Sequence, residues 1–319
     1  MPSTAARPVM AAVALGLLSQ IAAAQPAEGE PQADAAAPAG PPAAEPLAWS
    51  LNAVFTHQLD TDLDGGGEVS LTSFDIEPTL TWTLDETTSW SFSFGYGLDQ
   101  YDFGGTGGLA GMDPWGDITH LSLGASIRRK LDDSWTLFGG PSIRVAAEDG
   151  ADLDSGLTGG GFIGAGYRVN DRLTIGPGLG IFSEIEDDVE VFPVLIINWR
   201  IRDDLTLRTG SLTGATRGPG LELAWKLEDS LELALATRYD SNRFRLDDAG
   251  PAPDGVGEDE GFALVGGVRW KPDANITLTV FGGVQIESQL TLYDRDGVEL
   301  MQEDSDPQPV IGLAGSIRF

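Results

Sequence analysis

The sequence predicts an all-β fold, an antiparallel up-and-down transmembrane β-barrel of about 14 strands, with about 12 strands as the alternative count. Three observations predict it: a repeated acidic turn between strand-like segments, alternation of apolar and polar residues along those segments, and tryptophans gathered at one end of them. The other connections are longer, acidic and Gly-rich, so short turns and long loops alternate along the chain.

The acidic turns set the number of strands. At six places an apolar segment ends in a short acidic turn and restarts at once, which is typical of a β-hairpin. We call the side of the barrel that carries these turns the turn end, and the opposite side the loop end. If both chain ends also lie at the turn end, the strand number is even, as single-chain barrels require. The six passages are residues 82–90, 129–135, 167–173, 199–205, 225–231 and 270–276.

Alternation along the segments predicts which side chains face outward. Successive side chains of a strand point to opposite faces, so an apolar row next to a polar row predicts one lipid face and one lumen face. A soluble β-sandwich would alternate in the same way. In the third strand the apolar row is Trp90, Phe92, Phe94 and Tyr96, and the polar row is Ser91, Ser93, Gly95 and Gly97.

Tryptophan placement favours the membrane. Indole rings prefer the headgroup zone of a bilayer, where the ring is apolar and the N–H stays hydrated. The alternative is packing of hairpin ends in a soluble core. A thinner belt at the loop end is predicted for Phe55, Phe74, Tyr96, Tyr239 and Phe262. Seven of the eight tryptophans lie at the turn end on apolar positions and form the predicted aromatic girdle: Trp49, Trp82, Trp90, Trp135, Trp199, Trp225 and Trp270.

The chain divides into three predicted regions. Residues 1–24 have the charged, apolar and small-residue zones of a secretory signal peptide. Residues 25–46 are mostly Ala, Pro, Gly and Glu, which predicts a disordered linker. Residues 47–319 contain the barrel, with no apolar run of about 20 residues for a spanning helix. The sequence has no cysteine, which excludes disulfides and Cys-based metal sites.

The formal net charge of -30 argues against a nucleic-acid partner, because phosphate binding needs clustered Lys and Arg. The acids concentrate in the loops, where they would attract cations or divalent ions that bridge lipopolysaccharide phosphates, or would simply solubilise the loops. Asp60, Asp62 and Asp64 before Gly65 match the opening of a calcium loop, but its twelfth position is Leu71. Calcium at the loops is therefore the one cofactor that the sequence suggests, and otherwise none is expected.

Charged residues on the polar rows are predicted to line the lumen. One hypothesis is a positive collar near the turn end that favours anions. The alternative is that these cations pair with carboxylates and fill the lumen. The predicted basic residues are Arg128, Arg144, Arg168, Arg200, Arg208, Arg238, Arg269 and Arg318, and the predicted acidic ones are Asp75, Glu77, Glu222 and Glu232.

Catalytic residues are not predicted. The sequence has two histidines, His57 on a lipid-side position and His120 on a lumen position, and no motif singles out a nearby serine nucleophile. The protein is therefore expected not to be an enzyme.

The chain ends Ile311, Leu313, Gly315, Ile317 and Phe319 on alternate positions. In this respect residues 47–319 resemble bacterial outer-membrane β-barrels, and most of all mid-sized, porin-like ones. The resemblance implies that the assembly machinery recognises Phe319, that the turn end faces the periplasm, and that membrane lipid and lipopolysaccharide surround a monomer. About 14 strands lie between the small barrels filled by side chains and the roughly 16 to 18 strands of open porins, so the size predicts passive passage of small solutes through a narrow or gated pore. The alternative is a structural, adhesive or binding barrel with a closed lumen.

Overall fold

The computed structural model describes residues 47–187, 189–209 and 220–319. The predicted signal peptide and linker lie outside the described residues. The described chain is almost entirely β-structure, with two short 3-10 helices at Ala110–Met112 and Leu153–Gly156. No helix in the described part of the chain is long and apolar enough to cross a membrane.

One sheet contains 15 strands. They are β1 (Leu47–Asp62), β2 (Glu68–Thr83), β3 (Thr88–Gly104), β4 (Asp117–Lys130), β5 (Trp135–Glu148), β6 (Leu157–Asn170), β7 (Leu173–Phe182), β8 (Glu190–Arg202), β9 (Leu205–Thr209), β10 (Gly220–Glu228), β11 (Leu231–Arg245), β12 (Val256–Trp270), β13 (Ile276–Tyr293), β14 (Glu299–Asp304) and β15 (Gln308–Arg318).

The sheet closes on itself into a barrel. Each barrel strand pairs antiparallel with the next one along the chain, and β15 pairs with both β13 and β1. The short β14 pairs with β13 at the loop end and extends the last loop, so 14 strands form the barrel wall. The predicted fold class and strand count are confirmed. Closure matters because it leaves no open sheet edge to be satisfied in lipid.

The six short turns join β2–β3, β4–β5, β6–β7, β8–β9, β10–β11 and β12–β13, as the acidic passages predicted. In the β2–β3, β4–β5 and β12–β13 turns the first carboxylate accepts backbone N–H groups inside the turn, which gives Asp a structural role there. Asp132 Oδ1 accepts the N–H groups of Ser134 and Trp135 at 2.7 and 2.8 Å. Asp273 Oδ1 does the same for Asn275 and Ile276 at 2.7 and 3.0 Å.

The exposure pattern is inverted relative to a water-soluble protein. On β3, Phe92 and Phe94 on the outer face are 46% and 44% exposed, whereas Ser93 between them is only 7% exposed. The same alternation runs along the other strands, so the outside is a continuous apolar surface and the inside is largely polar. An apolar surface of that extent is stable only when lipid covers it.

The loop end of the barrel is closed by apolar packing and by contact across the lumen. β11 bends in until Arg245 pairs in parallel with Ala147 of β5. Next to this contact lies the loop-end cluster, a group of buried side chains that face one another from several strands and loops. Its members are Leu63, Val69, Leu71, Tyr101, Leu109, Ala110, Trp115, Ile118, Ala146, Phe244, Leu246, Ala252, Leu290 and Leu292.

Candidate solute pathway in the lumen

Strand β11 runs the length of the lumen, and its inward side chains show how the interior is layered. Phe244, nearest the loop end, belongs to the loop-end cluster. Asn242, Asp240 and Arg238 follow and line a small cavity. Ala236 and Ala234 belong to an apolar mid-lumen cluster, and Glu232 begins an ionic layer towards the turn end. The mid-lumen cluster consists of Val54, Ala234, Ala236, Val265, Phe281 and Val310.

The ionic layer is built around Glu222, whose side chain is fully buried between two arginines. Arg269 donates to it twice, from Nη1 to Oε1 at 3.1 Å and from Nη2 to Oε2 at 3.0 Å. Arg208 also donates to Oε1, and Arg269 donates to Glu232. Lys271 Nζ lies 3.6 Å from the second oxygen of Glu232. Charges buried at this depth are tolerable only because each has a partner of opposite sign.

This pairing bears on the two hypotheses for the lumen cations. Arg208 and Arg269 have carboxylate partners, and Arg238 Nε lies 2.7 Å from Asp240 Oδ1. Arg144 donates to His120 and Asn242. At Arg208, Arg238 and Arg269 the structure favours the pairing alternative over an open positive collar, whereas the bonds of Arg144 go to a histidine and an amide.

The remaining predicted lumen charges lie at different depths. Arg128 and Arg200 are half-buried near the turn end, while Arg168 and Arg318 are exposed there. Asp75 lines the small cavity beneath the loop-end cluster, and Glu77 on the same strand is buried. The charged residues predicted for the lumen therefore do not form one site. They lie in the ionic layer, around the small cavity, and at the turn-end rim of the barrel.

A buried polar group that the sequence did not reveal lies beside the cavity. His120 Nε2 is 2.8 Å from Asp99 Oδ2, and His120 Nδ1 is 2.8 Å from Arg144 Nη2. A guanidinium can only donate, so Nδ1 accepts and the proton of the neutral ring sits on Nε2 and is donated to Asp99. Asn242, on the opposite wall, accepts from Arg144 at 2.5 Å and donates to Asp99 at 3.1 Å. No local motif signals this group, because Asp99 and Asn242 are 143 residues apart.

The tryptophans of the predicted girdle lie at the turn end of the barrel. Trp90 is half-buried, and the other six are exposed on the outer face. Trp82 and Trp90 are register partners across the first turn, and Trp135 packs on Tyr167 with ring centroids 4.9 Å apart. Trp115 is different: it is 3% exposed and packs edge-on against Phe244 in the loop-end cluster.

The predicted second belt lies nearer the loop end. Phe55 and Phe74 are register partners and are exposed on the outer face, as are Tyr96 and Phe262. Tyr239 is half-buried, and its hydroxyl donates to Glu260 at 2.7 Å. The belt therefore marks a level on the wall, which serves below to place the cavity.

Asp60, Asp62 and Asp64 lie exposed where β1 passes into the turn before β2. Among residues 47–187, 189–209 and 220–319, no group of three or more His, Asp or Glu side chains is arranged to hold a metal ion. The calcium site stays a prediction that this geometry does not support. Phe319 follows β15 and is 75% exposed, and its N–H donates to the carbonyl of Trp49 at 2.8 Å.

The closed barrel, its apolar outer surface and its polar lumen define a bacterial outer-membrane β-barrel protein. No protein-family model matches the sequence, and no curated protein is significantly similar to it.

Solved structures of similar architecture are outer-membrane barrels. An outer-membrane channel from Pseudomonas putida F1 is 12% identical over 89% of this chain and 100% of its own, with a TM-score of 0.47. A Pseudomonas aeruginosa FadL homologue is 14% identical over 85% and 89%, with a TM-score of 0.43. The P. putida toluene transporter TodX is 10% identical over 87% and 91%, with a TM-score of 0.44. Similarity at this level assigns no solute.

Proposed function

We propose that the protein is a gated channel through which small solutes cross the outer membrane passively. The observation that carries the proposal is a polar cavity inside the lumen, directly beneath the loop-end cluster. In the proposed channel this cluster is the lid. Its lining includes Asp75, Arg238 and Asp240. Charged groups inside a barrel are costly when dry, so a cavity lined with them favours water inside it.

The lid is of a kind that can separate. The loop-end cluster holds Trp115 against Tyr101 and Phe244 by ring contacts, with centroids 5.9 and 5.3 Å apart. Such contacts are individually weak, and hydrophobic constrictions are known to gate pores by wetting and drying. The structure would then represent the closed state of the channel.

A second candidate is a structural or binding barrel whose lumen stays closed. Hydrogen bonds across the lumen favour it. Tyr101 on β3 donates to Asp259 on β12 at 2.9 Å, and Asn242 on β11 donates to Asp99 on β3 at 3.1 Å. If these bonds hold permanently, the two walls never part at the loop end.

Single-channel recording from refolded full-length protein in a planar bilayer distinguishes the two. We expect rare openings of the wild type and at least a several-fold larger open fraction for Trp115→Ala, which removes the central ring of the lid. Phe94→Ala, on the lipid face, is the matched control and should behave as wild type. A heat-modifiable gel shift verifies that each variant has folded. Silence of both wild type and Trp115→Ala would refute the channel and support the closed barrel.

Membrane assembly follows the same architecture. We propose that the barrel works as a monomer, because one chain closes its own wall through β1 and β15. The exposed ring of Phe319 is proposed as the contact for the assembly machinery, and the turn-end tryptophans as the girdle in the periplasmic headgroup zone.

A further inference from the structure

We propose that the cavity beneath the loop-end cluster is a binding subsite for a compact monovalent cation, an alkali ion or ammonium. The inference deepens the proposed function and rests on it for the route by which the ion arrives. The cavity itself, its charges and one buried hydroxyl carry the argument.

The cavity lies inside the wall at the level of the loop-end aromatic belt. On β1 its lining residues Val54 and Thr56 flank the outward Phe55, and on β2 Ser73 and Asp75 flank the outward Phe74. On β11, Arg238 and Asp240 flank Tyr239 in the same way. The subsite is therefore placed at the outer membrane boundary, which an ion entering from outside would meet directly below the lid.

The lining has a surplus of negative charge. Asp75, Asp240 and Asp259 carry three carboxylates against the one guanidinium of Arg238, a formal difference of -2. Arg238 lies against Asp240, with Nε 2.7 Å from Oδ1. Asp259 accepts a hydrogen bond at 2.9 Å from Tyr101, a neutral donor. Inside a low-dielectric wall a surplus of this sign attracts a cation more strongly than it would in water.

One buried hydroxyl faces the cavity without a partner. Ser73 is 4% exposed, lines the cavity between Leu71 and Asp75 on β2, and its Oγ makes no hydrogen bond within the described chain. Buried polar atoms are almost always satisfied, so an orphan hydroxyl oxygen in a cavity wall indicates a group that belongs there. Its lone pairs, like the amide oxygens of Gln58 and Gln285 in the same lining, suit a hard cation.

Size limits the occupant. The water-accessible volume of the cavity is about 30 Å³, whereas one water needs roughly 10–15 Å³ by the same measure. A dehydrated ion with one or two waters fits that space, whereas an organic solute of more than a few heavy atoms is too large for it. The lack of a group of three metal-ligating side chains among the described residues also argues against a divalent ion.

Thallium provides a direct test, because Tl⁺ substitutes for potassium and scatters X-rays anomalously. Crystals of the full-length protein soaked in a thallium salt should show an anomalous peak in the cavity. The peak should disappear in Asp75→Asn/Asp259→Asn and persist in Asp296→Asn, a matched change at an exposed loop-end turn. No peak in the wild type, or a peak that survives in the double variant, overturns the subsite.

A second readout separates this proposal from the channel itself. In a potassium chloride gradient the Trp115→Ala channel should prefer potassium over chloride, and adding the two Asp→Asn changes should reduce that preference several-fold. A chloride preference in Trp115→Ala overturns the inference. A thallium peak in a protein that never conducts retains the subsite and refutes the channel; current without a peak retains the channel and refutes the subsite.

Discussion

Replacing Glu222 by Gln tests how much the ionic layer in the turn-end half of the lumen stabilises the barrel. The carboxylate is fully buried and accepts from Arg208 and twice from Arg269. The amide keeps one oxygen, so Arg208 and Arg269 Nη1 still find an acceptor. It places an NH₂ group where Oε2 had accepted from Arg269 Nη2 at 3.0 Å, which turns a charge-assisted bond into a donor–donor contact.

The expected cost follows from that geometry. One lost charge-assisted hydrogen bond is worth about 1.5–3 kcal/mol, and the surviving bonds weaken because the acceptor is now neutral. Removing one partner of a buried ion pair typically costs about 3–5 kcal/mol, so we expect a free energy of unfolding lower by that amount. Glu222 and Arg269 share one network of ion pairs. The destabilisation of the double variant Glu222→Gln/Arg269→Gln should therefore be smaller than the sum of the two single-variant destabilisations, with a coupling free energy of about 0.5–3 kcal/mol.

Denaturant titration of protein refolded into lipid vesicles, followed by tryptophan fluorescence, measures these values. Glu86→Gln, at an exposed position of the first turn, is the matched control and should change stability by less than about 0.5 kcal/mol. The reasoning fails if Glu222→Gln unfolds at the wild-type denaturant concentration, or if the double variant shows simple additivity.

Three further predictions concern the loops, the terminus and the girdle. Burial, followed by the carboxylates of Glu190 and Glu258, raises the pKa of Glu184 in the β7–β8 loop from 4.5 to about 8. Between these pH values the folded loop retains a proton that the unfolded chain has lost. The free energy of unfolding should therefore fall as pH rises from about 4.5 to about 8. In Glu184→Gln the denaturant midpoint should vary less over that range. Phe319→Ala should lower the amount of heat-modifiable barrel in the outer membrane, and equal amounts would refute the assembly proposal. Lipids brominated near the headgroup should quench tryptophan fluorescence more than lipids brominated at the chain ends, and the reverse order would exclude the girdle.

The wall of the barrel could be predicted because its determinants are local. Each short turn carries its own acceptor carboxylate, as Asp132 and Asp273 show, and each strand carries its own two-residue alternation. The placement of Trp82 and Trp90 at one end needs only the position of the turn between them. An even number of strands then allows β15 to close the wall by antiparallel pairing with β1.

The interior could not be predicted to the same depth. Trp115 lies in the loop between β3 and β4, and nothing near it in the sequence indicates that it packs on Phe244 from the far wall. The parallel contact of Ala147 with Arg245 likewise depends on how far two distant strands bend inward. Alternation shows that Arg208 and Arg269 face the lumen, but only the register of four strands brings both to Glu222.

The contact between β5 and β11 must separate if the proposed channel is to conduct at the loop end. Locking this contact with a disulfide therefore tests the gated channel most directly. The chain has no cysteine, so Ala147→Cys/Arg245→Cys introduces a single pair at register partners, whose separation in a sheet suits a disulfide. Single-channel current should cease when the pair is oxidised and return when it is reduced, while Arg245→Cys alone should not respond. Undiminished current in protein whose cross-link is verified on a gel would show that the pathway does not open at this contact and would contradict the account.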